Sequence, residues 1–147
     1  MKFIYLVVVI VFLCGLSYKG PETELVELLN RERAATHVAP LAIDWEVARL
    51  ARYKVEDMQQ LGFLGVSPVY GTPDDMMRRF EIPFCALSVT VAKGQECAGE
   101  VISAWLSSPA HREVLLDARF SYIGVGFTRD AYDMPYWAVM LFTSSTK

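Results

Sequence analysis

Histidine and cysteine are scarce in this chain, and each scarcity removes a class of chemistry. Its 147 residues include two histidines, His37 and His111, and three cysteines, Cys14, Cys85 and Cys97. That is too few cysteines for a dense disulfide framework. No cluster of lysine or arginine occurs and the formal charge is −3. Nucleic acid and anionic lipid, which both call for a basic face, are therefore set aside as partners. Internal repeats and low-complexity linkers are also missing, so one compact unit is expected.

Apolar character is concentrated at the front. After Lys2 an unbroken apolar run extends from Phe3 to Leu16. It has no polar face and cannot be an amphipathic surface helix. A basic residue, an apolar core shorter than a spanning helix and then small residues form the pattern of a secretory signal. Gly15 and Ser17 supply small positions, while Leu16 and Tyr18 make a poor cleavage site, so an uncleaved membrane anchor is the alternative. Leu13 stands where a lipid-attachment signal at Cys14 would want a small residue. Residues 1–20 thus read as signal peptide or amino-terminal anchor and residues 21–147 as the exported domain, secreted or held at the outer face of a membrane. Between Cys85 and Cys97 an extended stretch keeps the two thiols beyond disulfide reach, and both are expected free and mostly buried.

Helices come first and strands late. Pro21, Glu22 and Glu24 open a helix carrying Leu25, Leu28 and Leu29 at helical spacing and ending near Thr36. Asp44 caps a longer helix that stops at Gly62, and its charged residues Arg49, Arg52, Lys54, Glu56 and Asp57 are expected to face water. Thr72 and Pro73 begin a third helix whose Met76, Met77 and Phe80 pack inward. "ALSVTVA" reads as a strand, a helix follows from about Glu96 to Leu106, and "YIGVGFT" with "YWAVMLF" forms a hairpin. The order implies an α+β fold, a three-layer α-β-α sandwich with a small antiparallel sheet, rather than alternating βαβ units.

Several stretches, "LLNRERAATHVAPLAIDWEVARLARYKVEDM", "SPVYGTPDDMM", "AWLSSPAHREVLLDARFSYIGVGF" and "YWAVMLF", occur in an order that resembles the CAP superfamily in its bacterial secreted form. That superfamily comprises cysteine-rich secretory proteins, antigen 5 and plant pathogenesis-related proteins. The resemblance covers about residues 24 to 143 and implies an α-β-α sandwich. It also implies a cleft in which two histidines and two glutamates hold a divalent metal. Carried over position by position, the first histidine falls on Gly65. The first glutamate falls on Leu87 of the triplet Ala86, Leu87, Ser88, the second on Ser108, and only the second histidine is kept, as His111. Zinc needs three or four protein ligands, and calcium or magnesium needs converging carboxylates, so no metal and no other cofactor is expected.

The ligand-binding positions left in the implied cleft are His111, Ser88, Leu87, Gly65 and Ser108. Ser108 as cap and Pro109 as first helical residue would put His111 in a first turn, where the helix dipole favours a neutral ring fixed by neighbouring backbone or hydroxyl groups. His37 reads as an exposed loop residue. The resemblance implies a non-catalytic domain binding a lipid, a cell-wall glycan or an envelope or coat protein. A hydrolase using His111 with Ser67, Ser88 or Ser108 is the alternative. In a third reading the domain docks an envelope protein through aromatics such as Tyr18, Tyr70, Tyr132 and Tyr136.

Overall fold

The computed structural model describes residues 19–62 and 64–145. The leader or anchor assigned to the front of the chain lies almost wholly outside the described residues, as does Tyr18. Helix α1, Pro21–Ala35, starts with proline in its first turn, and Thr36 closes it. In α2, Trp45–Leu61, the Asp44 carboxylate accepts from the Val47 amide, and Gly62 ends the helix with φ 70°, a left-handed conformation that glycine adopts without strain. Helix α3, Pro73–Arg79, opens with a reciprocal capping box between Thr72 and Asp75. Helices α4, Ala98–Leu106, and α5, Pro109–Leu115, follow strand β2, Ala86–Lys93.

Strands β3, Tyr122–Arg129, and β4, Pro135–Thr143, form the hairpin, and β2 pairs antiparallel with the other edge of β4. A two-residue strand β1, Ala42–Ile43, adds a parallel edge to β3, giving the order β1-β3-β4-β2. Nothing in the sequence pattern announced β1, because two residues are too few to show alternation. Otherwise the α-β-α sandwich stands as expected.

Residue parity along the strands divides the sheet between two cores. Ile123, Val125, Trp137, Val139 and Leu141 point to one side, where they meet Leu25 and Leu29 of α1, Trp105 of α4 and Leu115 of α5. Met140, Phe142 and the partly buried Leu87 and Val89 point to the other, against Val47 and Leu50 of α2 and Met76 and Met77 of α3. The centre of the second layer is set by two glycines. A Cβ on Gly124 would lie 2.4 Å from the Val47 carbonyl carbon, and one on Gly126 would lie 2.3 Å from that of Ala51. Helix α2 therefore rests on the bare backbone of β3.

Three expectations need correction. Lys54 and Asp57 do not belong to a solvated face, since they are only 4% and 8% exposed on the inner flank of α2. The thiols are not both free and buried. Cys85 is free but exposed, with its Sγ against the Thr143 and Ser144 carbonyls. Cys97 is disulfide-bonded. The two cysteines flank β2 and do not pair with each other.

Gly126→Ala should force α2 off the sheet and cost about 1–3 kcal/mol or more. Thermal unfolding followed by circular dichroism should show a melting temperature lower by roughly 5 °C. An unchanged melting temperature would mean that the helix can shift without loss.

Candidate functional site

The five positions of the implied cleft lie on three parts of the fold: strand β2, the loop after α2, and the start of α5. Leu87 and Ser88 are consecutive on β2, so their side chains leave opposite faces of the sheet. Leu87, half-buried, packs into the α2–α3 layer, with Phe142 as its register partner on β4. Ser88 sits across from Leu141, on the side covered by α1 and α4. Gly65 lies in the loop after α2, where its carbonyl accepts a 2.7 Å hydrogen bond from Lys54 Nζ. Ser108 and His111 belong to α5, whose Leu115 is in the opposite core.

Ser108 stands at the N-cap of α5, but its side chain makes no capping hydrogen bond. His111 is exposed, and no described group hydrogen-bonds its ring, so the anchored imidazole expected from the sequence is not found. Nor does any described hydrogen bond join it to Ser67, Ser88 or Ser108. The Ser67 hydroxyl is buried and accepts from the Val69 and Tyr70 amides, which makes it a turn-former. His37 is an exposed loop residue, with φ 59°. Among the described residues, no three of His, Cys, Asp and Glu converge in a group that could hold a metal.

The buried cluster that Leu87 borders is also bordered by three aromatic rings that no single stretch of sequence brings together. Tyr53 of α2 and Tyr70 of the loop stack with ring centroids 5.8 Å apart and 9° between planes, and Phe80 lies 5.8 Å from Tyr53. The Arg79 guanidinium sits 5.6 Å from the Tyr70 ring centroid and that of Arg49 6.0 Å from Phe80. All three rings are half-buried. Their positions, Tyr53, Tyr70 and Phe80, are far apart in sequence, and no local periodicity could have joined them. Of the tyrosines named as docking anchors, Tyr136 is buried, whereas Tyr132 is 93% exposed in the β3–β4 turn.

The loop that carries Gly65 and Tyr70 is pinned from three sides. Besides Lys54 and Ser67, Arg79 donates to the Val69 carbonyl at 3.1 Å. Desolvation lowers the Lys54 pKa, and Asp57 partly offsets the shift. Val66 and Val69 are left pointing outward, each more than half exposed.

A second anchor holds the α5 end of the molecule. Arg33, fully buried at the end of α1, donates to the carbonyls of Ala39, Leu115, Asp117 and Phe120, at 2.8, 2.9, 3.2 and 3.1 Å. Burial lowers its pKa, and the Asp117 carboxylate works in the other direction. Asp117 is itself held below the usual carboxylate range by hydrogen bonds from Arg119.

Comparison with known proteins agrees with this architecture. The model of the cysteine-rich secretory protein family matches residues 26–142. The chain belongs to that CAP family. YkwD of Bacillus subtilis strain 168 is 40% identical over 112 residues, 76% of this chain and 44% of YkwD. The B. subtilis membrane protein YlbC is 28% identical over 112 residues and is covered to 32%. The chain thus spans less than half the length of these curated relatives. Among solved structures, an extracellular protein containing an SCP domain from Bacillus anthracis matches with a TM-score of 0.79. The identity is 24%, over 85% of this chain and 41% of that one. An outer surface protein of Borrelia burgdorferi matches with a TM-score of 0.80 at 19% identity, over 88% and 97% of the two chains. At such identities the likeness is one of fold, and this CAP chain shares it across nearly its whole described length.

Two outcomes follow from the anchors. Arg33→Met should strand four carbonyls and lower stability by about 3 kcal/mol or more, read from urea unfolding. Arg33→Lys should recover only part of the loss, because an ammonium cannot reach all four. The second outcome concerns Asp75, whose pKa is lowered by hydrogen bonds from Thr72. Its contribution is complete above the ordinary carboxylate value of about 3.9 and disappears as pH falls through the lower folded-state value. Asp75→Asn should therefore be less stable than the parent at pH 7, and the two urea midpoints should converge once the pH lies below the lowered folded-state value of Asp75.

Proposed function

We propose that this CAP domain is a non-catalytic binding module acting outside the cytoplasm, and that it engages a lipid, a glycan or an envelope protein through the surface around Leu87. One observation carries the reading. Where the resemblance implies a metal-holding carboxylate, Leu87 is half-buried against the same apolar cluster that Tyr53, Tyr70 and Phe80 border. A carboxylate there would need a metal or hydrogen-bond donors, whereas leucine gains from cover by apolar neighbours. Gly65 and Ser108 offer no imidazole and no carboxylate at the other positions, so the residues present do not fit a divalent metal.

Half-buried rings held on α2, on the pinned loop and at the end of α3 make a rigid contact surface at low cost in side-chain entropy, and the flanking guanidiniums add polar donors. The apolar run from Phe3 to Leu16 and the extracellular B. anthracis relative support a place outside the cytoplasm. Among the described residues, no helix is long and apolar enough to cross a membrane.

The test is co-sedimentation of the exported protein with an insoluble cell-wall fraction and with lipid vesicles, each in a separate arm. The parent should be retained in one arm. Tyr70→Ala, checked for folding by circular dichroism, should bind about tenfold more weakly, the size expected for an aromatic contact. Retention in neither arm would reject the reading. Stoichiometric zinc uptake that is lost in His111→Ala would reject the metal-free cleft.

A further inference from the structure

A groove of about 630 Å³ runs between α1 and the α4–α5 pair, with Leu28 of α1 and Ile102 and Leu106 of α4 among its lining. Ile102 is buried and the two leucines are half-buried, so the groove has an apolar floor. Arg31 of α1 and Arg112 of α5 also line it, both of them exposed.

These two arginines differ from every other described arginine. Arg33 is spent on carbonyls, Arg49 and Arg79 lie over rings, and Arg52, Arg78, Arg119 and Arg129 pair with carboxylates. Neither Arg31 nor Arg112 has a side-chain hydrogen bond, ion pair or ring contact with any described residue. Both nevertheless face one concavity from different helices. Among the described residues, Glu32 is the only carboxylate lining the groove, which leaves one positive charge in excess there, and Ser103 adds a hydroxyl. Concave walls focus such a field on whatever enters.

We propose that this groove binds an organic phosphate monoester, its oxyanion shared by Arg31 and Arg112 and its apolar body laid on Leu28, Ile102 and Leu106. A carboxylate offers one pair of oxygens and suits one guanidinium fork. A phosphate monoester has three terminal oxygens and close to two negative charges, enough for both forks and for the Ser103 hydroxyl. The volume falls in the range of small-molecule sites and is far larger than a bare phosphate ion requires. The site is formed by other residues than the surface around Leu87, so either one can fail without the other.

Titration calorimetry of the exported protein at low salt, with phenyl phosphate, inorganic phosphate and phenol as separate titrants, decides the matter. Phenyl phosphate should bind one per chain, with inorganic phosphate about tenfold weaker and phenol undetected. Arg31→Gln and Arg112→Gln should each weaken phenyl phosphate about tenfold. Glu32→Gln should strengthen it, and Arg78→Gln and Tyr70→Ala should leave it unchanged. Silence with phenyl phosphate, equal binding of inorganic phosphate, or indifference to Arg112→Gln would each overturn the proposal.

Discussion

A single buried guanidinium holds the domain's two ends together. Arg33 leaves the last turn of α1, is wholly covered, and ties down the loop at Ala39, the end of α5 at Leu115, and the chain leading to β3 at Asp117 and Phe120. The cost of removing its charge from water is offset by four charge-assisted hydrogen bonds, and the same bonds satisfy carbonyls that would otherwise be buried without donors. Helix α5, with Ser108 and His111, takes its place because of this contact. So does the Arg112 side of the groove, since α1 and α5 are joined through Arg33.

The other layer depends on a constraint of space. Gly124 and Gly126 let α2 lie directly on β3, and that closeness fixes where Tyr53 and Lys54 emerge. Lys54 then reaches the Gly65 carbonyl and draws the following loop back along the helix, which brings Tyr70 over Tyr53. The aromatic surface is thus a consequence of two missing side chains on a strand and one buried ammonium on a helix. The two halves of the molecule have separate origins, and this is why the cleft positions divide between them.

Much of the fold was legible because local chemistry speaks for it. Asp44, Gly62, Thr72 and Pro73 mark helix ends by satisfying or removing orphan backbone groups, and the β-branched alternation of β2 to β4 shows in any window. The candidate site could be placed only through the family resemblance, which puts Gly65, Leu87 and Ser108 at positions where it implies metal donors. Which way those residues face could not be read, although the alternation of a strand already implied that Leu87 and Ser88 point apart. Lys54 and Asp57 were placed in water because charge on a helix usually is, and burial by the returning loop overrode that expectation.

The sequence by itself determined the order of the longer elements, the caps at Asp44, Gly62 and Thr72, and the family, since each of these depends on residue type and near neighbours. Only the tertiary structure decided that His111 stands exposed with no hydrogen bond to its ring from the described chain, that Tyr53, Tyr70 and Phe80 meet, and that Arg31 and Arg112 face one groove. These are meetings of residues distant along the chain. Their geometry is set by how closely α2 can approach β3 and by where Arg33 finds its carbonyls, and neither quantity is written in any local stretch.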